Sequence, residues 1–224
     1  MSVPRRVWVT RSEPGAGRTA ARLKTLGFEP VVRPLIAITT LDQPAPDLSS
    51  VAALAFTSVN GVAAFAALTP DRDLPVFTVG EVTASAARDA GFAEVRSADG
   101  DLTALARLLE TSDIGGTVLA AVAREPAGDL AGMVPTVHVR TLTVYAASET
   151  GVDAPDDIDS VLLHSARSAR ALARLWRRDR PTPAVFALSD AVAFPMLSLT
   201  IPRVASRPTE AALLEALGKP GPDV

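Results

Sequence analysis

Small hydroxyl residues, glycines and one arginine stand where the strand-like runs of this chain end: Thr10-Arg11, Thr57-Ser58, Gly80, Ser165, Ser189 and Pro208-Thr209. At a junction of strand and helix such residues leave the first helical N–H groups open to an anion, and a hydroxyl adds a donor of its own. Arg11 either pairs with a carboxylate or braces the loop that holds Glu13. The chemistry suggested is the holding of carboxylates. Taken singly, each hydroxyl residue reads better as a plain helix cap.

No conventional catalytic set accompanies these residues. His138 and His164 are the only two histidines, no cluster of His, Asp or Glu has ligand spacing, and no G-x-S-x-G elbow occurs. With no cysteine, disulfides, thiolate metal sites and a thiol nucleophile are excluded, which fits a reducing cytoplasm. The 22 basic residues nearly balance 25 acidic ones, for a formal charge of -3, so no general attraction to nucleic acid or to an anionic membrane is expected. The N-terminal MSVPRRVWVT lacks the pattern of a signal peptide. The apolar stretch 51–68 is broken by Thr57, Ser58, Asn60 and Gly61, which argues against a membrane helix. A cytoplasmic location is expected, and no apolar stripe in the sequence demands a second copy, so a monomer is expected as well.

Gly15-x-Gly17-x-x-Ala20, after the strand VWVT, has the outline of a dinucleotide fingerprint. Its spacing is wrong. Four residues, Arg11 to Pro14, separate the strand from Gly15, Glu13 brings a carboxylate toward the phosphate position, and the next strand ends in Arg33-Pro34 without an acid for the ribose. NAD binding is not expected, and no cofactor or metal is assigned.

Around these residues, short β-type runs alternate with alanine- and leucine-rich helical patterns, the mark of parallel βα units. Strands are expected at 7–10, 51–58, 75–80, 117–123, 160–165 and 184–189, with helices at 15–26, 60–68, 81–90, 166–177 and 190–197. The chain also resembles itself. AFTSVNGVAAFAAL (55–68) aligns with LLHSARSARALARL (162–175), VFTVGEVTA (76–84) with VFALSDAVA (185–193), and ADGDLTAL (98–105) with SRPTEAAL (206–213). The offset stays near 108 residues, as from Ala98 to Ser206. A fourth pair, TRSEPGAG (10–17) and AREPAGD (123–129), leads the first set and trails the second. Two like α/β lobes, one inserted in the other, produce that order: a discontinuous lobe of 1–36 plus 147–224 around an insert of 40–140. The crossings RPLIAITT (33–40) and VRTLTVYA (139–146) are expected to pair as a two-stranded antiparallel ladder, a hinge above an open cleft.

V-T-R (Val9 to Arg11), F-T-S-x-N-G-V (Phe56 to Val62), V-G-x-x-T-A (Val79 to Ala84), the lone Tyr145, L-H-S-x-R (Leu163 to Arg167) and R-P-T-x-x-A-L-L (Arg207 to Leu214) together resemble the uroporphyrinogen-III synthase family. The resemblance implies two flavodoxin-like lobes joined by a β-ladder. It also implies an enzyme without metal or cofactor that closes hydroxymethylbilane, a linear tetrapyrrole with eight carboxylates, to uroporphyrinogen III with inversion of the last ring. Tyr145 would act on the departing hydroxyl as general acid, the alternative being a strand aromatic packed at the hinge. Thr83, Ser165 and Thr209 match family positions lining the cleft, and Arg167 lies nearest its rim. Asp190-Ala191 and the turn in AAVAREP (120–126) depart from the family pattern. Two other readings stay open: an inert two-lobed domain of the same ancestry that binds a tetrapyrrole or another polyanion, and a plain interaction protein.

Overall fold

The computed structural model describes residues 5–177 and 181–220. In chain order the elements are β1 (Arg6–Val9), α1 (Gly15–Thr25), β2 (Glu29–Val32), β3 (Ile36–Thr40), β4 (Val51–Phe56), α2 (Val59–Leu68), β5 (Val76–Thr78), α3 (Glu81–Asp89), β6 (Val95–Ser97) and α4 (Leu102–Glu110). They continue with β7 (Thr117–Ala123), α5 (Leu130–Met133), β8 (Val139–Glu149), β9 (Ser160–Leu163), α6 (Ala166–Leu175), β10 (Ala184–Ala187), α7 (Asp190–Ala193), β11 (Arg203–Val204) and α8 (Glu210–Glu215). A 3-10 turn at Phe194–Met196 follows α7. The chain divides into two compact units, Met1–Ala37 with Ser148–Val224, and Ile38–Ala147.

The first unit holds a parallel sheet in the order β11-β10-β9-β1-β2. In the second unit the parallel part runs β6-β5-β4-β7-β8, with β3 beyond β8 at the edge. Laid over each other as the sequence repeat prescribes, β9 matches β4, β10 matches β5, β11 matches β6, β1 matches β7 and β2 matches β8. The spatial order is then identical. The chain enters the same sheet at a different strand, which is why the fourth repeated block appears out of sequence.

In the second unit, β4 feeds both faces of the sheet. Leu54 and Phe56 pack with Phe65 of α2 and with Phe92, while Ala53 and Ala55 pack with Leu105 and Leu109 of α4. The rings of Phe56 and Phe65 meet edge-on at 5.6 Å. In the first unit, Val7 and Val9 of β1 face Leu23 of α1 and Leu213 of α8. Helices α1 and α3 each end two residues before a glycine of positive φ, Gly27 (87°) and Gly91 (98°). There the chain reverses, and the next residue bonds back to the helix, Phe28 N to Leu23 O and Phe92 N to Ala87 O.

The two crossings pair with each other as expected, and β8 is in addition a full member of the sheet, because Val139 to Tyr145 pair in parallel with β7. An 11-residue strand is long enough to serve two partners. Its later residues face β3. Thr150 N bonds Leu35 O and Leu41 N bonds Val144 O, so one partner number falls as the other rises, which is antiparallel pairing. Among the described residues no helix is long and apolar enough to cross a membrane.

Candidate functional site

In an open parallel sheet, the place that accepts ligands is the carboxyl end of the strands where successive connections diverge. In the second unit that point lies between β4 and β7, and in the first between β9 and β1. The residues singled out by sequence fall at these strand ends. Thr57 and Ser58 follow β4, Gly80 and Thr83 open α3 after β5, and Tyr145 lies on β8. On the first unit Arg11 follows β1, Ser165 and Arg167 open α6, Ser189 caps α7, and Pro208-Thr209 precede α8.

The second unit brings Ser58 and Tyr145 into direct contact, with Ser58 Oγ 2.9 Å from Tyr145 Oη. Ser58 is the N-cap of α2 and accepts the Gly61 N–H at 3.1 Å. Tyr145 reaches it because of an irregularity in β8. Thr143 pairs with Val122 and Tyr145 with Ala123, so Val144 is an extra residue. In a regular strand Val144 and Tyr145 would face opposite sides; across the bulge both enter the core beneath α2. Small residues of β7, Ala121 and Ala123, separate β8 from β4 on that face and leave the phenol room to cross. Tyr145 is 8% exposed. Gly61 is required here, since a Cβ on it would lie 2.9 Å from the backbone oxygen of Ala121. The glycine in F-T-S-x-N-G-V thus lets the first turn of α2 press against β7.

The switch point of the first unit is filled differently. Glu210 accepts bonds from Thr19 Oγ1 (2.6 Å) and Arg11 Nη1 (3.1 Å), and lies 2.8 Å from His164 Nε2. Burial disfavours its charge, but the His164 hydrogen bond and charge, the Thr19 bond and Arg11 outweigh that and hold the carboxyl at about 2. Burial also lowers Arg11, against the pull of Glu210. Gly15 is explained by the same cluster, because a Cβ there would strike the Arg11 guanidinium. Gly17 N is bonded to the Glu13 carboxylate at 2.9 Å, so a group that would face a pyrophosphate in a dinucleotide site is already held by an anion. By the repeat, Glu210 corresponds to Leu102 and His164 to Thr57, so the charged cluster belongs to one unit alone.

The remaining residues divide by the state of their polar groups. Ser165 caps α6 through Ser168 N, with Ser168 Oγ also 2.9 Å away. Thr209 caps α8 through Ala212 N. Ser189 caps α7 without a side-chain bond, and Gly80 leaves the start of α3 open, with Gly100 O the nearest atom to a notional Cβ at 4.0 Å. Thr83 is buried, and Arg167 is half-buried. Farther along α6, Arg174 is paired with Glu149 at 2.9 Å. Sequence reasoning passed over Glu210 and His164 as partners. Both stand inside motifs already singled out, His164 in L-H-S-x-R and Glu210 as the first x of R-P-T-x-x-A-L-L. Among the described residues no group of three His, Cys, Asp or Glu is placed to hold a metal ion. A cavity of about 520 Å³ in the first unit, lined by Trp8, Leu172 and Trp176, contains none of the site residues.

The profile of the family described as uroporphyrinogen-III synthase HemD matches residues 17–215. No protein of curated function matches the sequence. Among solved structures, the uroporphyrinogen-III synthetase of Helicobacter pylori 26695 superposes with a TM-score of 0.70 at 18% identity, covering 96% of this chain and 98% of that one. A mutant uroporphyrinogen III synthase from the extremely thermophilic bacterium Thermus thermophilus gives 0.61 at 16% identity, over 95% and 97% of the two chains. At such identities these likenesses speak for the fold, while the profile reaches across both units and through all but the first of the motifs named above. The chain belongs to the uroporphyrinogen-III synthase HemD family.

Proposed function

We propose that the chain is a uroporphyrinogen-III synthase, a lyase of tetrapyrrole (haem) biosynthesis that converts hydroxymethylbilane to uroporphyrinogen III with inversion of ring D. Family membership over residues 17–215 supports the reaction. The observation that carries it to residues is the Tyr145 hydroxyl, 2.9 Å from the Ser58 cap at a sheet switch point.

The substrate is reactive by itself and closes unaided to the wrong isomer. The protein's task is therefore to fix a conformation, and that is catalysis by orientation and selectivity. Tyr145 protonates the terminal hydroxyl, water departs, and an azafulvene cation forms. A pyrrole carbon attacks to give a spiro intermediate that fragments and recloses with the ring inverted. The carboxylates are taken by rim groups of each unit: Thr57, Gly80 and Thr83 on the second, and Arg11, Ser165, Arg167, Ser189 and Thr209 on the first, with Pro208 shaping the turn before Thr209. Open helix starts and hydroxyl donors suit that task. The absence of cysteine fits work in a reducing cytoplasm, where the chain would act as a monomer.

A second reading is an inert tetrapyrrole-binding domain of the same ancestry, favoured by the small exposure of Tyr145 and by the commitment of Arg11 to Glu210. Product analysis separates the two. Freshly made hydroxymethylbilane given to the protein should yield isomer III well above the blank. A mixture no richer in isomer III than the blank rejects the enzyme.

A further inference from the structure

We propose that Ser58 is a positioning residue for Tyr145: its hydroxyl, fixed at the start of α2, donates to Tyr145 Oη and leaves the phenol's own proton for the departing hydroxyl of the substrate. The inference rests on the reaction proposed above and gives Ser58 a role other than holding a carboxylate.

A serine hydroxyl has one proton and two lone pairs. Gly61 N–H occupies a lone pair of Ser58 Oγ at 3.1 Å, and Tyr145 Oη lies on Ser58 Oγ at 2.9 Å. With its proton on Tyr145, Ser58 completes a chain from Gly61 N–H through Ser58 O–H to the phenol oxygen. The chain ends at the positive end of a 10-residue helix with no acidic residue in its first turn. Negative charge developing on the phenol oxygen therefore meets a donor and a favourable dipole together. Both ends are held in place, α2 by the close approach of Gly61 to Ala121 and Tyr145 by the β8 bulge. The equivalent cap in the first unit makes the contrast. Ser165 Oγ bonds Ser168, so its hydroxyl is engaged within its own helix.

The proton balance closes. The Tyr145 proton goes to the leaving hydroxyl as the carbon–oxygen bond breaks and water departs. The phenolate, held by Ser58, later recovers the proton that a pyrrole carbon sheds as its ring regains aromaticity. Ser58 keeps its own proton throughout.

The test is a double-mutant cycle on the whole chain. Ser58→Gly removes the hydroxyl while glycine still serves as a cap. It should lower kcat about tenfold with KM unchanged, a transition-state effect. Ser58→Thr should restore kcat to within about twofold, and Ser58→Gly with Tyr145→Phe should be no slower than Tyr145→Phe alone. A rise in KM at constant kcat would mean that Ser58 touches a carboxylate instead. Multiplying losses would also overturn the proposal. A wild type that gives no excess of isomer III rejects the reaction itself, which is a different outcome from a competent wild type with indifferent Ser58 variants.

Discussion

Glu210 ties together residues almost 200 positions apart, for Arg11 and Thr19 lie on the first segment of its unit, and His164 and Glu210 itself on the second. Its ionised form is favoured in the folded chain, at about 2 against an ordinary 4.5. A folded value below the unfolded one means that the unfolded chain binds the proton more readily. The stabilisation is therefore complete above about pH 4.5 and fades as pH falls toward 2. Discounted for the partial exposure of the cluster, it is worth about 1–2 kcal/mol. Urea titrations at about pH 6 and about pH 3 should show Glu210→Gln losing less stability over that interval than wild type, by roughly half of this amount or a little more; equal losses would remove Glu210 from the acid response. The sequence did not disclose this cluster. Nothing local distinguishes an acid at the first position of a helix from an ordinary dipole partner, and the other members come from remote segments. Tyr145 was legible only by resemblance, since its direction depends on a pairing irregularity in β8.

At the scale of elements, the start of α2 is set by contact with β7. Gly61→Ala would place a methyl 2.9 Å from the Ala121 carbonyl, a backbone atom that cannot move aside alone. The expected cost is about 1–3 kcal/mol, with a loss of turnover as the cap draws away from Tyr145. Gly80→Ala is the control for stability, because its nearest neighbour is 4.0 Å away and its φ of -163° is ordinary extended backbone. Thermal melts of the two variants should differ clearly, and equal melts would mean that the turn adapts. The longer strands and helices were readable because hydrophobic alternation and caps agreed, as in 117–123, which matches β7 in full. The strands β6 and β11, three and two residues long, were not, since so short a run carries no period. The expected helix 190–197 proves to be α7 followed by a 3-10 turn with Pro195 inside it.

For the molecule as a whole, self-comparison was the productive reading. Three blocks in one order and a fourth out of order pointed to two like lobes, one inserted in the other; the strand orders of the two units match when each is begun at a different strand. Surface character was less legible. No apolar stripe stood out in the sequence, yet Phe194 is 74% exposed, with Leu197 and Ile201 also exposed nearby in the chain. The proposed monomer should sediment as a single 23.3 kDa species; a concentration-dependent dimer would overturn it and direct attention to those three side chains.

The extra residue in β8 has a consequence for how this protein can vary. What turns the phenol toward α2 is a count of residues, so the identity of residue 144 matters far less than its presence. Point substitutions along the strand leave the aim of Tyr145 intact, whereas losing or gaining a single codon there would face the ring the other way. Drift in spelling is tolerated where drift in length is not, and relatives with little sequence in common can still carry the same aromatic to the same spot.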